Sequence, residues 1–98
     1  LRLTGLSFAH PDVDASRRAQ LSGPLDRAGP RLRAAGHDLF ALTTCLRVEL
    51  MWIGEAGSVP DVLKLVYGDS EVAGHGTLRH DDAAFRHLCR VAAGLDSP

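Results

Sequence analysis

The run from Leu39 to Ile53 reads as strand throughout, yet its fifteen residues exceed what one ordinary strand uses, so it has to break. The break is expected near Thr44 to Leu46, giving strands over Asp38 to Thr44 and Arg47 to Ile53 and presenting Cys45 at an edge or turn. Within the run, Thr43-Thr44-Cys45-Leu46-Arg47-Val48-Glu49 spaces a thiol, a guanidinium and a carboxylate two residues apart. A period of two puts Cys45, Arg47 and Glu49 on one side and Leu46, Val48 and Leu50 on the other. Polar groups gathered on one side of an apolar run need something to meet there.

The flanking segments supply the rest of a sheet and its cover. Leu1 to Phe8 reads as a first strand, with Gly5 a bulge or a point of close approach. Pro11-Asp12 opens a helix through about Leu21, since proline is tolerated in a first turn and acids favour that end. Ser22-Gly23-Pro24 repeats the signal for a second helix to Ala35, kinked or restarted at Gly29-Pro30 and C-capped by Gly36. Ser58 is expected to cap a helix that has Pro60 in its first turn, ends near Gly68 and buries Leu63 and Val66. Asp69 to Gly76 reads as a surface loop, and Gly76 to His80 as a short last strand. Asp81 or Asp82 then caps a final helix whose apolar stripe is Phe85, Leu88, Ala92 and Leu95, with Gly94 at its stop. This order predicts an α+β fold: a two-layer sandwich, ferredoxin-like, with an antiparallel sheet packed against helices.

Length and charge narrow the function classes. A chain of 98 residues supports one small core, so residues 1–98 are read as a single domain. Eleven basic against twelve acidic side chains give a net charge of -1, which advertises no nucleic-acid partner through bulk electrostatics. One local bias stands out, five arginines from Arg17 to Arg33 against the single acid Asp26, and its simplest reading is a solvated helical face. No apolar run approaches the roughly 20 residues of a membrane span, and the N-terminus has no signal-peptide profile, so a cytoplasmic protein is expected, with no membrane partner.

Cys45 and Cys89 have none of the paired spacings of a zinc site or disulfide scaffold and read as reduced thiols. The histidines outside the last helix show no i, i+4 pairing for a metal, and the glycines form no phosphate-cradling loop, so neither a metal nor a dinucleotide is expected within the chain. A thiol at its ordinary pKa is a weak nucleophile and needs nearby cations, a base or backbone donors; Arg47 supplies a cation two residues from Cys45. The planar fork of Arg47 suits a carboxylate, either a ligand's or that of Glu49. His87 lies on the last helix between stripe positions, as a packed hydrogen-bonded residue or as an acid–base group. Cys89, one turn beyond Phe85, reads as structural.

Two stretches carry a resemblance. Thr43-Thr44-Cys45-Leu46-Arg47-Val48-Glu49-Leu50 resembles the Ser-Thr-Cys-Asn-Arg-Thr/Val-Glu signature of glutamyl-tRNA reductases, and Phe85-Arg86-His87-Leu88-Cys89-Arg90-Val91-Ala92-Ala93-Gly94-Leu95-Asp96-Ser97 resembles their His-Leu-x-Arg-Val-Ala-Ser/Ala-Gly-Leu-Asp-Ser helix. Gly5-Leu6-Ser7 fits the family's opening strand. The resemblance implies that the cysteine matching Cys45 attacks the aminoacyl ester of glutamyl-tRNA to form a thioester, which NADPH reduces to glutamate-1-semialdehyde in tetrapyrrole (porphyrin) biosynthesis. It makes Cys45 and His87 catalytic and puts Thr44, Leu46, Arg47 and Ser97 in the glutamate pocket, with Arg47 pairing with a substrate carboxylate. It also implies an NADPH site and a dimerisation domain outside residues 1–98, a homodimeric full-length protein, and an association with glutamate-1-semialdehyde aminomutase.

The chain departs from the pattern in three ways. Leu46 stands where the family has asparagine, removing one polar contact from the pocket. Phe8-Ala9-His10-Pro11-Asp12 replaces the usual His-Lys-Thr-Ala-Pro after Gly5-Leu6-Ser7, and Ser16 takes a position where arginine is usual. The chain also stops at Pro98, before the family's NADPH segment, which reads as an excised domain that could form a thioester but not reduce it. These departures leave a second reading open, a non-catalytic relative acting as a binding or regulatory module.

Overall fold

A computed structural model describes residues 2–55 and 59–94. Strand β1 spans Arg2–Ala9, followed by helices α1 (Ala15–Ser22) and α2 (Leu25–Ala34), strands β2 (Asp38–Thr43) and β3 (Arg47–Gly54), helix α3 (Val59–Tyr67), strand β4 (Thr77–His80) and helix α4 (Asp81–Ala92). The four strands form one antiparallel sheet in the order β2-β3-β1-β4, the split βαβ winding of the ferredoxin-like sandwich, as the sequence predicts.

Alternation in the two central strands divides the molecule. Leu6 and Phe8 of β1 lie opposite Leu50 and Val48 of β3, and with Trp52 they are buried against Leu21, Leu25, Leu32, Val62 and Leu63 of helices α1 to α3. This is the apolar core. The other face of the same strands carries Gly5, Ser7, Arg47, Glu49 and Met51, and there α4 packs, with Ala84 next to Gly5 and His87 against Glu49. A helix on the sheet's second face extends the sandwich. At the rim of the core Phe8 and Tyr67 meet edge to face at 6.5 Å, and the Tyr67 hydroxyl donates to the Leu21 carbonyl at 2.8 Å. Burial pushes the Tyr67 phenol well above its ordinary pKa, against the opposing pull of Arg17.

Several boundaries differ from the sequence reading. Pro11-Asp12 does not open α1; His10–Pro11 is a cis peptide in a turn, and the helix starts after Asp14, whose carboxylate accepts from the Arg17 amide at 2.8 Å as an N-cap. Gly5 makes no bulge, because it pairs in register with both Met51 and Arg79, and a Cβ there would meet its neighbours at ordinary contact distance. The expected loop from Asp69 to Gly76 contains a 3-10 helix, Ser70–His75, capped by Asp69 through the Glu71 amide. Asp81 does not cap α4. Its carboxylate instead accepts from Leu3 N at 3.1 Å and Arg2 Nε at 3.2 Å, tying the helix start to the edge of β1.

The stripe on α4 is also displaced. Ala84, His87 and Val91 are the buried residues, while Phe85 is 51% exposed and Ala92 and Cys89 are exposed, so Cys89 is not the structural residue its spacing suggested. Helices α2 and α4 stop where expected, at Gly36 and Gly94, both with positive φ. The expected cap Ser58 and the stripe residue Leu95 lie outside the described residues. No helix among the described residues is long and apolar enough to cross a membrane.

Candidate functional site

The break in the long strand run is a tight turn. Thr43 still pairs with Val48, the Thr44 amide donates to the Arg47 carbonyl at 2.9 Å, and Cys45-Leu46 forms the tip that turns β2 into β3. Cys45 therefore leaves the strand and does not share a face with Arg47 and Glu49, as simple alternation proposed. It is exposed at the hairpin end, beside Thr44, in a shallow depression of about 210 Å³ closed by Ala15, Arg18, Ala19 and Ser22 of α1.

The tip is pinned from both sides. His10 N donates to the Leu46 carbonyl at 2.9 Å, and the buried Arg18 gives Nη2 to the Cys45 carbonyl at 3.1 Å and Nη1 to the Val13 carbonyl at 2.5 Å. Arg18 is thus an exception to the solvated arginine face expected over residues 17–33. Its signal was missed because the carbonyls it serves lie 5 and 27 residues away. Thr44 Oγ1 is buried with no hydrogen-bond partner among the described residues, a cost of roughly 1–3 kcal/mol.

Beyond the turn, β3 returns to strict alternation, which sends Arg47 and Glu49 to the α4 face. Glu49 organises what it meets there. Its Oε1 accepts from Arg47 Nη1 at 2.7 Å and lies 2.8 Å from His87 Nε2, and its Oε2 accepts from Ser7 Oγ at 2.5 Å. Ser7 sits opposite Glu49 in the β1–β3 register, so the pairing that builds the sheet also brings hydroxyl to carboxylate. The Ser7 oxygen also accepts from Arg79 Nη1 at 3.0 Å and contacts His87 Nε2 at 3.0 Å.

This pattern places a proton on His87 Nε2. Ser7 has one proton, and the short contact to Glu49 uses it; an ionised Glu49 has none to give. His87 Nε2 therefore carries hydrogen and donates toward Glu49 and Ser7. Of these five residues all but Arg79 are buried, and a buried carboxylate with three donors is satisfied where a bare one would be strongly destabilising.

The cluster forms one wall of a cleft of about 360 Å³, lined by Ser7, Arg47, Arg79 and His87, with Asp12 and His75 on the rim. Gly74, Gly76 and Thr77 also line it. A Cβ on Gly76 would lie 2.6 Å from the Ser7 carbonyl, so the chain between the 3-10 helix and β4 can come this close only because residue 76 is glycine. The cleft and the Cys45 depression lie at the same end of the sheet, where β1 leaves and β3 and β4 enter, but no residue lines both.

Of the residues expected from the sequence, the structure brings Arg47 and His87 together around Glu49 and sets Cys45 and Thr44 together at the hairpin tip. Leu46 is half-buried at the hairpin tip, and Ser97 lies outside the described residues. Ser7, Arg79 and Arg18 were not singled out. A serine inside the apolar run of β1 was the one local signal for Ser7; Arg79 gave none, because its role comes from β4 pairing with β1. Among the described residues no group of three His, Cys, Asp or Glu side chains could hold a metal ion.

Residues 5–98 match the family model described as Glutamyl-tRNAGlu reductase, N-terminal domain. Curated relatives named glutamyl-tRNA reductase include those of Dichelobacter nodosus, 32% identical over 94% of this chain, and of a Polaromonas species, 29% identical over 94%. The chain spans about a quarter of their length, 24% in each case. Among solved structures, the glutamyl-tRNA reductase from Methanopyrus kandleri superposes with a TM-score of 0.69 over 97% of this chain and 23% of its own, at 22% identity, which establishes the shared fold. With a family match over all but the first four residues, the chain belongs to the glutamyl-tRNA reductase N-terminal domain family.

Proposed function

We propose that this domain forms a cysteine thioester from glutamyl-tRNA as the first half of a glutamyl-tRNA reductase reaction in the cytoplasm. Cys45 Sγ attacks the aminoacyl ester carbonyl, the S–C bond forms, the ester C–O bond breaks, and the thiol proton ends on the released ribose hydroxyl. No electron changes hands in this transfer. The observation that carries the reading is the combination of an exposed thiol on a pinned hairpin tip with a cleft at the same sheet end that buries Arg47 and His87 on one carboxylate.

In this reading Arg47 steers the glutamate carboxylate toward the cleft, and Glu49 holds Arg47 in place. His87 carries its Nε2 proton at the cleft wall, and Thr44 lines the depression beside the thiol where the acyl group would lie. Leu46 and Ser97 complete the glutamate pocket. Reduction of the thioester to glutamate-1-semialdehyde would draw on NADPH. In this proposal the dinucleotide site lies outside residues 1–98, and the reductive step with it. A full-length homodimer and an aminomutase partner fall under the same proposal.

A second reading has a specific observation behind it. Cys45 opens into a depression that shares no residue with the Arg47 and His87 cleft, as suits a module that binds without reacting. Incubation with glutamyl-tRNA followed by intact-mass analysis under acid quench separates the two. The catalytic reading expects a glutamyl adduct that Cys45→Ser abolishes; binding of the tRNA with no adduct favours the module.

A further inference from the structure

We propose that Arg79, steadied by Ser7, is the outward arm of a two-guanidinium clamp that reads the side-chain carboxylate of an acidic acyl group in the cleft. This rests on the reading of the cleft as an acyl site. Arg47 and Arg79 approach the cleft differently. Arg47 is 6% exposed and spends Nη1 on Glu49 at 2.7 Å, so its charge is largely offset by that carboxylate. Arg79 is half-buried on edge strand β4 and is held through one neutral contact, Nη1 to Ser7 Oγ at 3.0 Å, which positions the guanidinium without neutralising it.

The position follows from the sheet. Gly5 pairs with Arg79 and Ser7 with Thr77, so Arg79 and Ser7 lie on the same face of adjacent strands, one diagonal step apart. Ser7 is in turn fixed by Glu49 and His87, so the arm and the buried pair are parts of one hydrogen-bonded unit. A planar fork held at one nitrogen loses little further freedom on gripping a carboxylate.

The remaining charges select among anions. Asp12 and His75 line the same cleft, and beneath it lie Glu49 and His87. With two arginines against Asp12 and Glu49, the cleft has no large positive excess, which disfavours polyanions such as phosphate and suits a single carboxylate on a ligand that also bears an ammonium group.

The test compares binding of L-glutamic acid α-methyl ester and L-glutamine α-methyl ester to the chain by NMR titration, with inorganic phosphate as competitor. The wild-type chain should prefer the glutamate ester, Arg79→Gln should lose that preference by about tenfold or more, and Arg79→Lys should keep part of it. Thermal unfolding of both variants should stay near wild type, because Arg79 is not in the core. Arg79→Gln discriminating as well as wild type overturns the clamp while leaving the acyl-site reading intact. Displacement of the ester by equimolar phosphate overturns the carboxylate assignment. Absence of any preference in the wild-type chain overturns the acyl-site reading and the clamp with it, an outcome separate from whether Cys45 becomes acylated by glutamyl-tRNA.

Discussion

Arg47 and Glu49 are 6% and 7% exposed and joined at 2.7 Å, whereas Cys45, two residues before Arg47, is exposed at the end of a hairpin. One short motif thus spans two environments, and the turn at residues 44–47 is what separates them. The buried half is a closed electrostatic unit in which each polar group answers another, and removing a member leaves a charge stranded out of water. The exposed half has little to lose by substitution, because its backbone is held by Arg18 and His10 and its side chain by nothing comparable. The difference teaches that burial and exposure have been divided along the motif: the cluster fixes the shape of the cleft, and the tip is the part to which the proposed function assigns the chemistry.

Substitutions should reveal that division as a gradient. Glu49→Ala should cost about 3–5 kcal/mol, read as a drop in the urea midpoint at unchanged slope, because it strands Arg47 and removes the acceptor of Ser7 and His87. A cost under about 1 kcal/mol would erase the contrast between the halves. Arg18→Met keeps the aliphatic stem but releases the Val13 and Cys45 carbonyls, and should cost about 2–3 kcal/mol while broadening the amide resonances of the hairpin tip. Ser7→Ala removes one donor from Glu49 and the anchor of Arg79, for about 1–2 kcal/mol. In a double-mutant cycle it should couple strongly to Glu49→Ala, and additive costs would show that the cluster is not a unit. Cys45→Ser should change stability by less than about 0.5 kcal/mol by the same unfolding assay.

The fold and the site differed in how much of them the chain wrote locally. Strand length alone required a break near residues 44–46, and the strand order followed from the sequence of elements, so the hairpin and the ferredoxin-like winding were readable. Local pattern misread α4 because it counted apolar residues. The stripe through Phe85 is more hydrophobic than the one through Ala84, His87 and Val91, yet the latter faces the sheet, where Ala84 meets Gly5 and His87 meets Glu49, 38 residues away. Helix α1 was begun too early for a related reason: Pro11 and Asp12 satisfy the generic rule for a first turn, but Asp14 makes the cap. Cys45 and Arg47 were read as sharing a face by alternation, which holds only while a strand continues. Of the two carboxylates the fork of Arg47 was expected to suit, that of Glu49 is one it meets, whereas Arg79 and Arg18 take their roles from pairing and packing between separate elements.

The central claim is that the exposed thiol at the hairpin tip, and not the other exposed cysteine, takes the acyl group. Proteolytic peptide mapping of the chain after acid-quenched incubation with glutamyl-tRNA tests it directly, since Cys45 and Cys89 are both free and exposed and fall on different peptides. The account predicts the glutamyl mass on the Cys45 peptide, retained in Cys89→Ser and lost in Cys45→Ser. Label on the Cys89 peptide, or an adduct that survives Cys45→Ser, would contradict it.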